Sequence, residues 1–201
     1  MVGAGMLQLA GMLLLAGCAA VPPPPEDSCL GELARQRIDF VPVTIDGSRG
    51  AGCTVDSPVR ISRIEAALNH PTVMSCRMAS RLDQFEHDVV QPLAARDLGR
   101  QVTAIEHFGA YSCRANSSNR GRLSEHALGR AIDISGFRFS DGSEANIERD
   151  WWRPGPYRDF LHHLAYNACT YFSVVLTPSS NRDHYNHLHF DIGPERLCSG
   201  V

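Results

Sequence analysis

The chain has 201 residues, 43% of them hydrophobic, with a formal net charge of −3 and a pI near 6.3. That length and apolar content suit one globular domain behind a short leader, and the charge excludes the strongly basic face of a nucleic-acid binder. All 19 cationic side chains are Arg, which is a compositional bias, whereas the placement of the nine His residues repays attention.

Residues 1–18 read as a lipoprotein-type signal peptide. The apolar run 6–15 is too short to span a bilayer but suits a signal-peptide core. It ends in Leu15-Ala16-Gly17-Cys18, which resembles the lipobox of bacterial lipoproteins, although no Lys or Arg precedes the run. The resemblance implies lipidation at Cys18. With Ala19 next, it further implies an outer-membrane anchor facing the periplasm. Residues 19–28 form a Pro-rich linker, in which Pro22 to Pro25 would hold an extended spacer. Residues 29–201 are the domain. Cys29, Cys53, Cys76, Cys113, Cys169 and Cys198 remain, an even set suggesting disulfides in an oxidising compartment. Comparable flanking context favours the pairs Cys29–Cys53, Cys76–Cys113 and Cys169–Cys198. No Cys-x-x-Cys occurs to support a zinc–thiolate site.

Residues 26–51 look irregular, with Gly47 and Gly50 marking loops. A short amphipathic pattern covers 62–68, and a longer one covers 75–93. In the longer one Met78, Leu82, Phe85, Val89 and Leu93 share one helical face, and the helix ends near Pro92 and Gly99. Residues 102–108 are rich in β-branched side chains and read as a strand. Residues 131–137 alternate and read as a second strand, and 152–156 as a turn. A helix is expected over 158–169, a third strand over 172–176, a loop over 178–182 and a fourth strand over 187–192. No internal repeat is seen. This order predicts an α+β fold with a small antiparallel sheet flanked by helices.

Two segments carry chemistry: Ser124-Glu-His126-Ala-Leu-Gly129-Arg-Ala131-Ile-Asp133, and Asp183-His184-Tyr-Asn-His187-Leu-His189-Phe-Asp191. Residues two apart in a strand share a face, so His187 and His189 point the same way. His184 sits at the strand entrance, within reach of the same point. Asp133 lies in an apolar strand, where an ionised carboxylate needs a partner. A metal ion meets that need, and Gly129 lets the backbone turn between His126 and Asp133. Two His and one Asp leave a tetrahedral position open, the pattern of catalytic rather than structural zinc.

Ser-x-His-x-x-Gly-x-Ala-x-Asp followed by His-x-His resembles the zinc peptidase superfamily of D-Ala-D-Ala carboxypeptidases, murein endopeptidases and the Hedgehog signalling domain. The wider chain, through Ala104-Ile-Glu-His-Phe-Gly-Ala-Tyr-Ser-Cys-Arg, Leu123 to Phe137 and the late His-rich strand, resembles the bacterial extensin-like C-terminal domain family. The superfamily resemblance implies one Zn2+ held by His126, Asp133 and His189 in a Hedgehog/D-Ala-D-Ala peptidase-like site on the sheet. In murein endopeptidases a His five positions before the last ligand serves near the water, and that position is His184 here; Asp183 is the second candidate base. His187 would stabilise the transition state or orient a ligand. Arg114 either clamps a substrate carbonyl or carboxylate, or lies on the surface. Ser124 either holds the motif loop or contacts substrate.

Trp151 and Trp152 either line the cleft or pack in the core. His70, His87, His107, His162 and His163 are expected on the surface or in the core, His107 on a strand that neighbours the site. The resemblance thus implies a zinc metallopeptidase, an endopeptidase or a carboxypeptidase, that hydrolyses peptidoglycan peptide bonds through an activated water. The alternative is a non-catalytic, zinc-containing, cell-wall-binding lipoprotein. The expected partners are peptidoglycan peptides and, through the lipid anchor, a membrane; nucleic acid is not expected, and the protein is expected to be a monomer.

Overall fold

The β-branched segments assemble into a nine-stranded mixed sheet, described here from a computed structural model. The structure describes residues 1, 28–36, 38–45, 52–117 and 119–201. The leader, Cys18 and the four linker prolines lie outside the described residues.

Ser28 caps helix α1 (Cys29–Arg35) by accepting a hydrogen bond from the Gly31 amide. Strand β1 (Asp39–Pro42) follows, then the hairpin β2 (Pro58–Arg63) and β3 (Ala67–Ser75). Residues 29–42 therefore hold a helix and a strand where the sequence reads as irregular. The amphipathic 62–68 segment forms the end of β2, a bend and the start of β3, the bend held by the Ile64 amide donating to the Ala66 carbonyl.

Ser75 caps the next helix through the Met78 amide. The chain then stays helical from α2 (Cys76–Phe85) through a π turn at Glu86–Val90 into α3 (Gln91–Leu98). Pro92 does not end it, because Pro is tolerated in the first turn after the register shift. Gly99, at φ +67°, ends it in the left-handed conformation. Met78, Leu82, Phe85, Val89 and Leu93 are all buried, as their spacing predicts. Strands β4 (Val102–Gly109), β5 (Ala131–Phe139) and β6 (Glu144–Asn146) come next. They are followed by helices α4 (Ile147–Asp150) and α5 (Pro156–Ala168) and strands β7 (Val174–Leu176), β8 (Leu188–Asp191) and β9 (Leu197–Ser199).

The strand order is β1-β2-β3-β4-β5-β8-β7-β9, with β6 pairing β5 off the path. The fold is α+β, but the expectation of a small antiparallel sheet is corrected: β3 pairs β4 in parallel, and so does β7 with β9. The reason for the first is the long helical crossover between β3 and β4, which returns the chain to the same sheet edge.

Side-chain parity divides the sheet into two faces. Ile132 and Ile134 of β5 and Leu188 and Phe190 of β8 are buried in the core. Phe85 of α2 meets Phe190 edge-on at 5.6 Å, and Phe160 of α5 meets Phe137 at 5.5 Å. The helices therefore cover that face. The alternate residues Asp133, His189 and Asp191 are left for the other.

Three disulfides join Cys29–Cys76, Cys53–Cys113 and Cys169–Cys198. The last pair agrees with the sequence reading, and the other two partners are exchanged. Packing explains the exchange. Helix α1 lies against α2, which brings Cys29 to the first residue of α2. Cys53 lies beside the loop leading to Leu123, whose Cδ1 would be 3.2 Å from a Cβ at Gly52.

Candidate metal centre

The motif Ser-x-His-x-x-Gly-x-Ala-x-Asp has a structural reason at every fixed position. Ser124 caps a 3-10 turn (Glu125–Leu128) by accepting from the His126 amide. Gly129 closes that turn at φ +62°. A Cβ there would sit 2.6 Å from Val55 Cγ1 and 3.0 Å from the Ser75 nitrogen, so both conformation and space demand glycine. Ala131 is small and fully buried at the start of β5. Asp133 follows it on the same face and pairs in register with His189 of β8.

His126 Nε2, Asp133 Oδ1 and His189 Nδ1 consequently converge. His126 Nε2 lies 3.2 Å from each of the other two atoms, and His189 Nδ1 lies 2.9 Å from Asp133 Oδ1. The far side of each ring is committed. His126 Nδ1 donates to the Ala110 carbonyl at 2.7 Å, and His189 Nε2 donates to Asp191 Oδ2 at 3.1 Å. These bonds place lone pairs on the two nitrogens that face each other. Two imidazole lone pairs and a carboxylate in such contact repel unless a positive charge lies among them. A proton on His189 serves: burial opposes it, but the bonds to Asp133 and Asp191 hold that imidazole up to about 9. Asp133 is driven upward by burial, yet its contacts with His126 and His189 override this and keep it far below the usual carboxylate range. A divalent cation satisfies the same demand with all three groups as ligands, and the trio fits one.

The remaining predicted residues divide. His184 is brought in: its ring lies 5.0 Å from that of His187 and 5.8 Å from that of His189. Its Nδ1 donates to Asn181 Oδ1 at 2.8 Å, so Nε2 carries the lone pair. Burial, then His187 and His189, push it down to about 4. His187 stands before β8 with Nε2 3.5 Å from Asp133 Oδ1 and Nδ1 on Asn186. Burial lowers its pKa, and the nearby Arg114 charge adds to this. Phe108, largely exposed, touches the His187 ring edge-on at 5.9 Å. Asp183 is exposed, and its side chain makes no hydrogen bond or ion pair among the described residues. Arg114 is exposed, with its carbonyl accepting from the Ser124 amide. Ser124 is buried and holds the motif turn.

Trp151 is a core residue, stacked on His162 at 4.1 Å with its Nε1 on Ser179, and Trp152 is exposed. Neither lines the cavity beside the trio. His107 is buried with Nε2 on the His70 carbonyl, and burial pushes it down to about 4; it stays outside the trio. His163 pairs with Asp97, and His87 faces Glu65.

Asp191 is the functional residue that the sequence reading passed over. Its Oδ1 accepts from the Gly193 amide at 2.8 Å while Oδ2 holds His189. The signal was available: His189 and Asp191 are two apart in one strand, so they share a face.

No curated protein and no solved structure matches the chain. The family described as Extensin-like protein C-terminus matches residues 27–199, spanning all of the elements above, and the chain belongs to that family.

Proposed function

We propose that the chain is a zinc-dependent peptidase that hydrolyses peptide bonds in peptidoglycan, in the stem peptide or its cross-link. The observation that carries this reading is the convergence of His126, Asp133 and His189 within 3.2 Å, with two further imidazoles alongside. Two nitrogens and one carboxylate oxygen suit zinc with an open position. Bound zinc supplies Lewis acidity, acidifying a water towards a pKa of ~7 and polarising a carbonyl.

The chain's own groups do the rest. His184 presents an unprotonated Nε2 at neutral pH and receives the proton from the attacking water. His187 stands with Nε2 3.5 Å from Asp133 Oδ1, and in the tautomer that carries its proton on Nε2 it donates to the developing oxyanion. Arg114, close enough for His187 to feel its charge, attracts a substrate carbonyl or carboxylate. The three disulfides fit an exported protein, and the lipobox-like Cys18 fits anchoring at the outer membrane facing the periplasm.

The second reading is a non-catalytic, zinc-containing wall-binding lipoprotein. It draws on the depressed His184, since a group pushed down to about 4 is a weak base. Digestion of purified sacculi, followed by mass spectrometry of the muropeptides, separates the two. The peptidase reading expects new cleavage products with wild type and none with His126→Ala, which also loses bound zinc. Products formed equally by metal-free His126→Ala would sink it. Sacculus binding without products would select the second reading.

A further inference from the structure

The face that carries the trio continues past His189. Strand register puts Leu176 beside His189, Val174 beside Asp191, and Leu197 beside Val174, so these apolar side chains extend the same face. Over them opens a cavity of about 390 Å³, reached directly from His189 and walled by Arg122, Glu125 and Glu195. Arg122 and Glu195 form an ion pair across it from two different loops, and both are about half exposed. An exposed pair of this kind is weak and opens readily to a better partner. Glu125 packs over Gly193, where a Cβ would come within 2.7 Å of its Cδ. Its buried Oε2 lies 3.6 Å from the Arg130 guanidinium and accepts no hydrogen bond among the described residues. The cavity thus offers a guanidinium, one carboxylate that can be released, and a second carboxylate, Glu125, in its wall.

We propose that this cavity is a subsite for an amino-acid head group, an ammonium and a carboxylate on one carbon, at the end of a substrate side chain. The inference rests on the peptidase reading for the location of the scissile bond. In a peptide that head group occurs at the far end of a diamino dicarboxylic residue. Its carboxylate replaces Glu195 on Arg122 in a two-pronged bond. Its ammonium pairs with the carboxylates of Glu195 and Glu125 in the cavity wall. The exchange leaves no net charge unpaired, and the methylenes lie on Val174, Leu176 and Leu197. A lysine side chain brings no carboxylate for Arg122, and a glutamate side chain brings no ammonium for Glu125.

The test uses the full zinc-loaded chain and dye-labelled peptides with N-methylated, uncleavable bonds, differing only in this residue: diamino dicarboxylic, lysine or glutamate. Fluorescence anisotropy should show the first binding about tenfold tighter than either other. Arg122→Gln and Glu195→Gln, both at exposed positions, should each reduce that preference to about twofold or less. Equal binding of the three peptides, or a preference that survives both substitutions, overturns the subsite. Cleavable versions of the same peptides are assayed separately. Preference without cleavage rejects the peptidase reading and upholds the subsite; cleavage without preference does the reverse.

Discussion

His189 shows how much of the centre depends on residues that hold no ion themselves. Its Nδ1 is useful only while Nε2 is the protonated nitrogen, and Asp191 enforces that tautomer at 3.1 Å. Asp191 is in turn fixed by the Gly193 amide. Asp191→Asn keeps the shape but no longer commits the ring, because the amide nitrogen can donate to Nε2 instead. We expect a roughly 10–100-fold weaker zinc affinity, measured by competition with a chromophoric chelator, with the fold intact by circular dichroism. Unchanged affinity would mean that Asp191 is only a strand-end cap. The convergence of the trio was legible in the sequence, because His126, Gly129 and Asp133 sit at fixed spacing and His189 follows strand parity. Asp191 was legible by the same parity but looked like one more strand-end carboxylate. The separation between His184 and Asp183 was not legible. It depends on Asn181 capping the 3-10 turn Arg182–His184, which orients one side chain inward and leaves the other in solvent.

At the scale of elements, the segments with clean periodicity form where the sequence places them; strands β1, β6 and β9 are too short to show a period, and other departures fall where two structural demands compete. The 62–68 segment carries an apolar spacing of helical type, but Ile61, Ile64 and Ala66 are buried because a hairpin bend folds them onto the core. The π turn at Glu86–Val90 was invisible because its cause is tertiary. Glu86 is fully buried, accepts from the Ala66 amide at 2.7 Å and from Gln91 Nε2 at 2.9 Å, and so ties the helix to that bend. Gln91 continues the link to Val102 of β4 in both directions. Burial pushes the Glu86 carboxyl up to about 7, against 4.5 when unfolded. The folded state therefore holds a proton that the unfolded state releases between these values. Below pH 4.5 both states are protonated and the full contribution is present; it is lost as pH rises to about 7. The loss is on the order of 3 kcal/mol. Glu86→Gln cannot ionise, so the difference in unfolding free energy between wild type and variant should shift by that amount from pH 4 to 8, measured by denaturant titration. A pH-independent difference would show that Glu86 does not take up a proton on folding.

At the scale of the molecule, the core and the candidate metal centre lie on opposite faces of one sheet, and this decides what metal removal would do. The helical face buries Phe85, Phe137, Phe160 and Phe190, none of which contacts the trio through a shared side chain. The three disulfides hold the chain at separations of 47, 60 and 29 residues, independently of any ion. The trio also has a fallback, since a proton on His189 offsets Asp133 when no cation is present. The fold should therefore survive metal removal, unlike a small zinc domain whose ligands are its core. On the zinc reading stability should still fall, because the three groups converge only in the folded chain. At free zinc about a thousand times Kd, the linkage is worth roughly 4 kcal/mol, or about 8–16 °C in Tm for a domain of this size. Calorimetry of the disulfide-intact chain with zinc and with chelator should show that drop while the far-ultraviolet spectrum at 25 °C stays the same. An unfolded chelated protein would mean that the centre holds the two faces together, and an unchanged Tm would mean that the trio retains no ion.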